Sequence, residues 1–127
     1  MNSKWLLVLQ GLSALVMGGA GVLKLLGNPV DQFVFGQLGM EPFGRYLVGG
    51  IELLAALGLS TRWFAAPGAL LAIGVMLGAV IAHLSVLGPQ VRGDGGLHLV
   101  LLCLVLATSG PVLLFRRREL PLIGSTL

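Results

Sequence analysis

Charged side chains are scarce in this sequence: they make up 10% of its 127 residues, whereas 56% of the residues are hydrophobic. A soluble domain of this length leaves too much of its surface in water to bury that much apolar material. Bilayer hydrocarbon can solvate such a chain, provided that helices satisfy the backbone hydrogen bonds internally. The composition therefore predicts an all-α integral membrane protein, with residues 1–127 forming a single domain.

Cysteine and metal ligands are scarce as well. The one cysteine, Cys103, excludes an intramolecular disulfide and any paired-thiol redox centre, and we expect it to be a small core residue. The two histidines come without a cluster of Cys, Asp or Glu at ligand spacing, so we expect no metal site. The sequence has neither a phosphate-binding glycine loop in its proper context nor a nucleophile–base motif, and we expect no catalysis by the chain itself.

Four apolar stretches each have the roughly 17–25 residues that a membrane-spanning helix needs. They cover about 5–26, 43–60, 63–87 and 97–115, and they predict a membrane-spanning four-helix bundle. The first stretch follows a basic start, as a signal peptide does, but it is long enough to span the bilayer, so we expect it to remain as a helix. Most of the 20 glycines are explained by close helix packing in lipid.

Basic residues in the short connections predict the orientation. Four crossings place both termini on the same side of the membrane. That side then holds Lys4, Arg62 and the run Arg116–Arg118, and the other side holds Lys24, Arg45 and Arg92. The positive-inside rule therefore predicts cytoplasmic termini, in what we expect to be a bacterial cell membrane. The arginine run explains much of the +3 net charge, so the charge indicates a bilayer partner rather than a nucleic acid.

The first outer connection, GNPVDQFVFGQLGMEPF, is longer than a tight turn. Asn28 is a good N-cap, Pro29 is a good first helical residue, and Gly39 can end a helix. Apolar residues recur at helical spacing between them, at Val30, Phe33, Val34 and Leu38. This pattern predicts a short amphipathic helix on the outer surface, which acts as an interfacial anchor or as a lid over the bundle.

Four ionisable side chains lie within the predicted spans: Lys24, Glu52, His83 and His98. Such groups are costly in hydrocarbon and usually face a bundle interior or a wet cavity. All four fall in the outer half of the bundle. Helical side chains lean toward their own N-terminus, so Lys24 and Glu52, on oppositely running helices, lean toward each other, and His83 leans toward the level of Glu52. The sequence predicts a buried polar cluster there, with His98 at its edge.

A purely structural role for these side chains is an open alternative. A Lys24–Glu52 ion pair can tie two helices together while contributing little net stability. His83 can be a neutral histidine bonded to a backbone carbonyl, and for His98 a structural or interfacial role is favoured over a site.

Three segments together resemble the DoxX family of small four-helix membrane proteins, in particular its DoxX-like branch. They are GGAGVLKLLGNP, YLVGGIELLAALGL and LLAIGVMLGAVIAHL, in that order. By position, the resemblance points to Lys24, Glu52 and His83. It implies a four-helix membrane fold and an association with quinone-linked sulfur oxidation, membrane redox complexes or oxidative-stress responses.

Three functions are compatible with these features. The first is a non-catalytic accessory subunit of a quinone-linked redox or oxidative-stress system, with a quinone near Glu52 and His83 and a redox protein as partner. Carboxylate and imidazole groups can bond the quinone oxygens and exchange protons. The second is a binding or transport protein for a small amphipathic molecule, which would be a homo-oligomer if it transports. The third is a structural or assembly partner without a ligand.

Overall fold

The computed structural model describes residues 2–127, which form helices and connecting loops without a strand. The helices are α1 (Ser3–Leu26), α2 (Pro29–Gln37), α3 (Phe43–Leu59), α4 (Ala65–Ala82) and α5 (Leu97–Arg116). A π-helical turn, His83–Leu87, continues α4, and two 3₁₀ turns, Arg117–Glu119 and Gly124–Thr126, follow α5. The helices α1, α3, α4 and α5 cover nearly the same residues as the four apolar stretches of the sequence.

Three of these helical segments are long and apolar enough to cross a membrane: Ser3–Leu26, Ala65–Leu87 and Leu97–Glu119. The shorter helix α3 has 17 residues and contains both Arg45 and Glu52. A fourth crossing through α3 therefore stays a prediction. Many large apolar side chains on all four long helices are exposed, Leu15 and Leu57 among them, as expected for surfaces that face lipid.

The four long helices form a closed ring in which α1 packs on α3, α3 on α4, α4 on α5, and α5 on α1. Glycines allow two of these approaches. A Cβ on Gly21 of α1 would lie 2.8 Å from the carbonyl oxygen of Gly49 on α3. A Cβ on Gly58 of α3 would lie 3.0 Å from the Cα of Gly68 on α4. Small interfacial residues are how helix backbones approach closely in lipid.

The two ends of this ring differ in charge. The basic end carries the five cationic residues Lys4, Arg62 and Arg116–Arg118, with Glu119 as its acidic residue. The opposite end, here called the α2 end, carries α2, the Gly88–Gly96 loop and the other four acidic residues.

The helix α2 occupies the segment where the sequence predicts a short helix. Gly27, with a φ of 79°, ends α1 in a left-handed conformation, and Pro29 begins α2. The buried residues of α2 are Asp31 and Phe35, and neither belongs to the predicted apolar stripe. That α2 lies amphipathically on a membrane surface stays a prediction, since its buried face includes a carboxylate.

Candidate functional site

An ion cluster at the α2 end joins α1, α2 and α3. Lys24 Nζ lies 2.8 Å from Glu52 Oε1 and 3.6 Å from Asp31 Oδ1. We call Lys24, Asp31 and Glu52 the Lys24 cluster. Its contact between α1 and α3 follows from the Gly21–Gly49 approach, which lies three residues before both Lys24 and Glu52. The structure thus brings the two groups together as their opposite leans predict.

Asp31 is the member of this cluster that sequence reasoning missed. It is 6% exposed, and Asn28 Nδ2 donates a 3.2 Å hydrogen bond to its Oδ2. The available signal was its place two residues after Pro29, in the first turn of α2, where acidic residues are favoured by the helix dipole. That signal explains Asp31 as a helix-end residue and does not indicate its direction toward Lys24.

Charge within the Lys24 cluster is unbalanced, because one ammonium is shared by two buried carboxylates. Glu52 is 1% exposed. Lys24 Nζ lies 2.8 Å from its Oε1, and beyond this ionic contact the oxygen has no partner within the described chain. Two carboxylates around one cation favour an additional proton or positively polarised group beside them.

A second ion pair, between Arg45 and Glu41, lies beside the Lys24 cluster. Arg45, which is 3% exposed, donates from Nε to both carboxylate oxygens of Glu41, each at 2.9 Å. Its other end donates to the backbone carbonyl of Lys24. Because the last carbonyls of a helix have no intrahelical partners, a guanidinium at the end of α1 satisfies one of them. Arg45 is thus paired with Glu41 and bonded to the end of α1, so it does not compensate the excess negative charge of the Lys24 cluster.

His83 follows the last residue of α4 and lies closer to the tip of the α2 end than Glu52 does. Its Nδ1 lies 2.8 Å from the carbonyl oxygen of Ala79. Measured from the Gly58–Gly68 contact, Glu52 is six residues along α3 and His83 is fifteen residues along α4. At 1.5 Å per residue these are about 9 Å and 22 Å. The two residues are therefore offset by about 13 Å along the bundle, because the α3–α4 contact sets their relative positions. That the side chain of His83 leans toward the level of Glu52 stays a prediction.

The imidazole of His83 nevertheless has a free nitrogen. A carbonyl only accepts, so the neutral ring carries its proton on Nδ1 and presents Nε2 as an acceptor. This Nε2 is buried and has no hydrogen-bond partner among residues 2–127. His83 also begins the π-helical turn, and such turns occur often at functional sites.

His98 has a local partner instead. Its Nδ1 lies 2.7 Å from Asp94 Oδ2, and Asp94 also accepts hydrogen bonds from the backbone amides of Val91, Gly96 and His98. The side-chain bond to His98, followed by these amides, lowers the pKa of Asp94 well below its usual range. Asp94 thus orders the loop before α5, and the described contacts of His98 favour the structural role over the site.

A polar group near the basic end is the other feature that sequence reasoning missed. Gln10 of α1 donates to the carbonyl of Leu59 at 3.1 Å and accepts from Arg116 Nε at 2.7 Å. Ser13, one turn further, bonds the hydroxyls of Thr108 and Ser109 on α5. These buried bonds connect α1 with α3 and α5. Cys103, expected in the core, is exposed on α5, since the buried face of this helix passes through Leu102 and Val105.

Comparison with known proteins places the fold and these residues in a family context. The model of the DoxX-like family matches residues 8–109, a range that includes the Lys24 cluster, His83 and His98. No curated protein and no solved structure gives a match to the chain. The family match covers most of the sequence and agrees with the three motifs that suggested it. The chain belongs to the DoxX-like family.

Proposed function

We propose that the protein is a non-catalytic accessory subunit of a quinone-linked membrane redox or oxidative-stress system, and that it binds a lipophilic hydroquinone at the α2 end. In this proposal α3 is the fourth crossing, both termini are cytoplasmic, and the Lys24 cluster lies in the outer leaflet of a bacterial cell membrane. The expected partners are a redox enzyme at the same membrane and further copies of this chain.

Two buried acceptors without a hydrogen bond carry the proposal, and one of them, Glu52 Oε1, also has an ionic contact with Lys24. Glu52 Oε1 and His83 Nε2 are the buried side-chain polar atoms without a hydrogen bond among residues 2–127. Buried polar groups usually have hydrogen bonds, so a buried acceptor without one needs an explanation, and a bound molecule that donates to it is one. Glu52 lies on α3, and His83 begins the π-helical turn that continues the adjoining helix α4. Each side chain leans toward the N-terminus of its own helix, so along the helix axes the two lean toward each other.

The chemistry of these atoms selects the ligand. Both are acceptors, so they match a molecule with two donors. A hydroquinone carries O–H groups at opposite ends of its ring, which suits acceptors at different depths. The excess negative charge of the Lys24 cluster favours the same form, because it stabilises a proton held close to Glu52. An oxidised quinone has acceptors only and would need Lys24 or an added proton.

Ligand-dependent stability tests the proposal. A ligand that binds only the folded protein at about 100 times its Kd adds about 2.7 kcal/mol to the unfolding free energy. We expect a short-tailed benzohydroquinone to raise the thermal midpoint of the purified protein in detergent. The dimethyl ether of the same compound, which has no donors, should leave the midpoint unchanged.

Matched variants locate the binding. Glu52→Gln and His83→Phe should each reduce the shift produced by the hydroquinone, while His98→Phe should retain it, because His98 bonds Asp94. Equal shifts with the hydroquinone and its ether would refute donor recognition. A normal shift in both the Glu52 and His83 variants would remove this site from the proposal.

A further inference from the structure

A groove lies at the basic end, far from the Lys24 cluster, on the exterior of the bundle between α3 and α4. It has a volume of about 450 Å³ and an almost entirely apolar wall, within the range of ~300–1,000 Å³ found for ligand sites. Its wall includes Leu54, Leu57, Phe64, Pro67 and Leu71. The groove exists because Gly58 and Gly68 bring the two backbones together without side chains to fill the space above them.

The groove runs along the direction of a lipid chain. It extends from Thr61 at the α3–α4 connection to Leu54, seven residues along the helix or about 10 Å. One leaflet contributes about 15 Å of hydrocarbon. The groove therefore follows about two-thirds of a leaflet, starting at the level of the connecting turn, where its one polar side chain, Thr61, is found.

A second hollow, of about 300 Å³, lies at the same turn and has charged residues in its lining. It is lined by Arg62, Trp63 and Glu119. Arg62 and Trp63 are exposed, and both directly follow Thr61 of the groove. Tryptophan and arginine at such a position are typical of the headgroup region of a membrane. The apolar groove and the hollow with its charged residues thus both have lining residues in one short turn, Thr61 in the groove and Arg62 and Trp63 in the hollow.

Net charge around the hollow is positive. The 3₁₀ turn Arg117–Glu119 packs against α4, which brings the end of the arginine run beside the α3–α4 connection. Glu119 forms an ion pair with Arg116, whose Nη1 lies 3.2 Å from Glu119 Oε1. The carboxylate is therefore neutralised locally, and Arg62 faces the hollow without an ion-pair partner among residues 2–127.

We infer that the α3–α4 groove is a binding site for an anionic phospholipid. One acyl chain lies along the apolar wall, and the headgroup phosphate is bound by Arg62 beside Trp63. The positive charge of this end selects an anionic lipid over a zwitterionic one of the same chain length. The site is separate from the hydroquinone site, since it lies at the opposite end of α3, and each can be tested without the other.

Native mass spectrometry of the detergent-solubilised protein tests the inference with phosphatidylglycerol, phosphatidylcholine and diacylglycerol of identical chains. We expect a single phosphatidylglycerol to be retained at least threefold more than either of the others. Arg62→Gln should abolish this preference, and Arg92→Gln, an arginine at the α2 end, should preserve it. Leu57→Trp, which fills the groove, should reduce retention of all three lipids, and Leu15→Trp, on the exposed face of α1, should not.

Four results would overturn parts of the inferred lipid site. Equal retention of the three lipids overturns the headgroup site, and equal effects of the two arginine variants reduce it to general charge attraction. Full retention in Leu57→Trp overturns the groove as the chain site. Displacement of phosphatidylglycerol by inorganic phosphate alone, with the groove variant unaffected, would show a free anion site instead of a lipid site.

Discussion

Lys24→Met should destabilise the protein more than Glu52→Gln does. The ammonium of Lys24 contacts two buried carboxylates, Glu52 at 2.8 Å and Asp31 at 3.6 Å. Removing it leaves both carboxylates without an opposite charge in contact. Breaking a buried ion pair in this way costs about 3–5 kcal/mol.

Glu52→Gln is milder because its amide still offers an oxygen to Lys24, and Lys24 retains Asp31. Loss of a charged hydrogen-bonding partner while the other group remains satisfied costs about 1–3 kcal/mol. The difference of about 2 kcal/mol corresponds to a roughly 30-fold change in the ratio of folded to unfolded protein. This asymmetry would be absent if Lys24 and Glu52 formed an isolated pair.

Helix content followed by circular dichroism during denaturation in mixed micelles measures these free energies. In the variant that combines Lys24→Met with Glu52→Gln, the neutral amide relieves part of the uncompensated charge. The double variant should therefore be no less stable than Lys24→Met alone, with a coupling energy between about 0.5 and 3 kcal/mol. Asp31→Asn should likewise reduce the loss of unfolding free energy that Lys24→Met causes. Lys4→Met, at the exposed start of α1, is the control. Equal losses for Lys24→Met and Glu52→Gln, with no relief by Asp31→Asn, would refute the shared-cation arrangement.

Three further predictions concern other parts of the fold. Gly21→Ala should lower the unfolding free energy by about 1–3 kcal/mol, because its Cβ meets the α3 backbone; Gly19→Ala, with open space around it, should be neutral or stabilising in the same denaturation assay. Asp94→Asn should lower the thermal midpoint at pH 6. Because folding lowers the pKa of Asp94, its contribution is present above about pH 4 and lost as the pH falls further, so the two midpoints should converge in acid. Gln10→Leu should cost about 1–3 kcal/mol by leaving the carbonyl of Leu59 and the Nε–H of Arg116 without a hydrogen-bond partner, and an unchanged midpoint would contradict this bonding.

The sequence predicts the contact between Lys24 and Glu52 because few arrangements can satisfy two opposite charges in apolar helices. Each also follows a glycine at the same interval, which allows the two helices to approach. Asp31 was not predicted, since the orientation of a short helix depends on the loops at its two ends. The offset of about 13 Å between Glu52 and His83 was not predicted, because the offset between adjoining helices is set by a packing contact, Gly58 against Gly68, which periodicity does not specify.

Neutral polar residues were the harder group to interpret. Ser13, Thr108 and Ser109 are small and occur at helix interfaces for packing reasons alone. A serine in one helix has several potential partners in the others, and only the closed ring brings these three hydroxyls together. The helix positions themselves were predictable, because stretches of about 20 apolar residues leave few alternatives.

The closed ring also determines the order in which the buried polar side chains of a nascent chain gain their partners. Lys24 can contact Glu52 as soon as α3 has been synthesised, so in the proposed four-crossing arrangement α1 is available to assist the insertion of this shorter, charged helix. The partners of Ser13 lie on α5, which is synthesised after α1, α3 and α4, and Arg116 at the end of α5 bonds Gln10. A chain stopped before α5 exposes these polar groups to hydrocarbon, where they are costly. Completion of the hydroxyl contacts therefore distinguishes a finished bundle from an unfinished one.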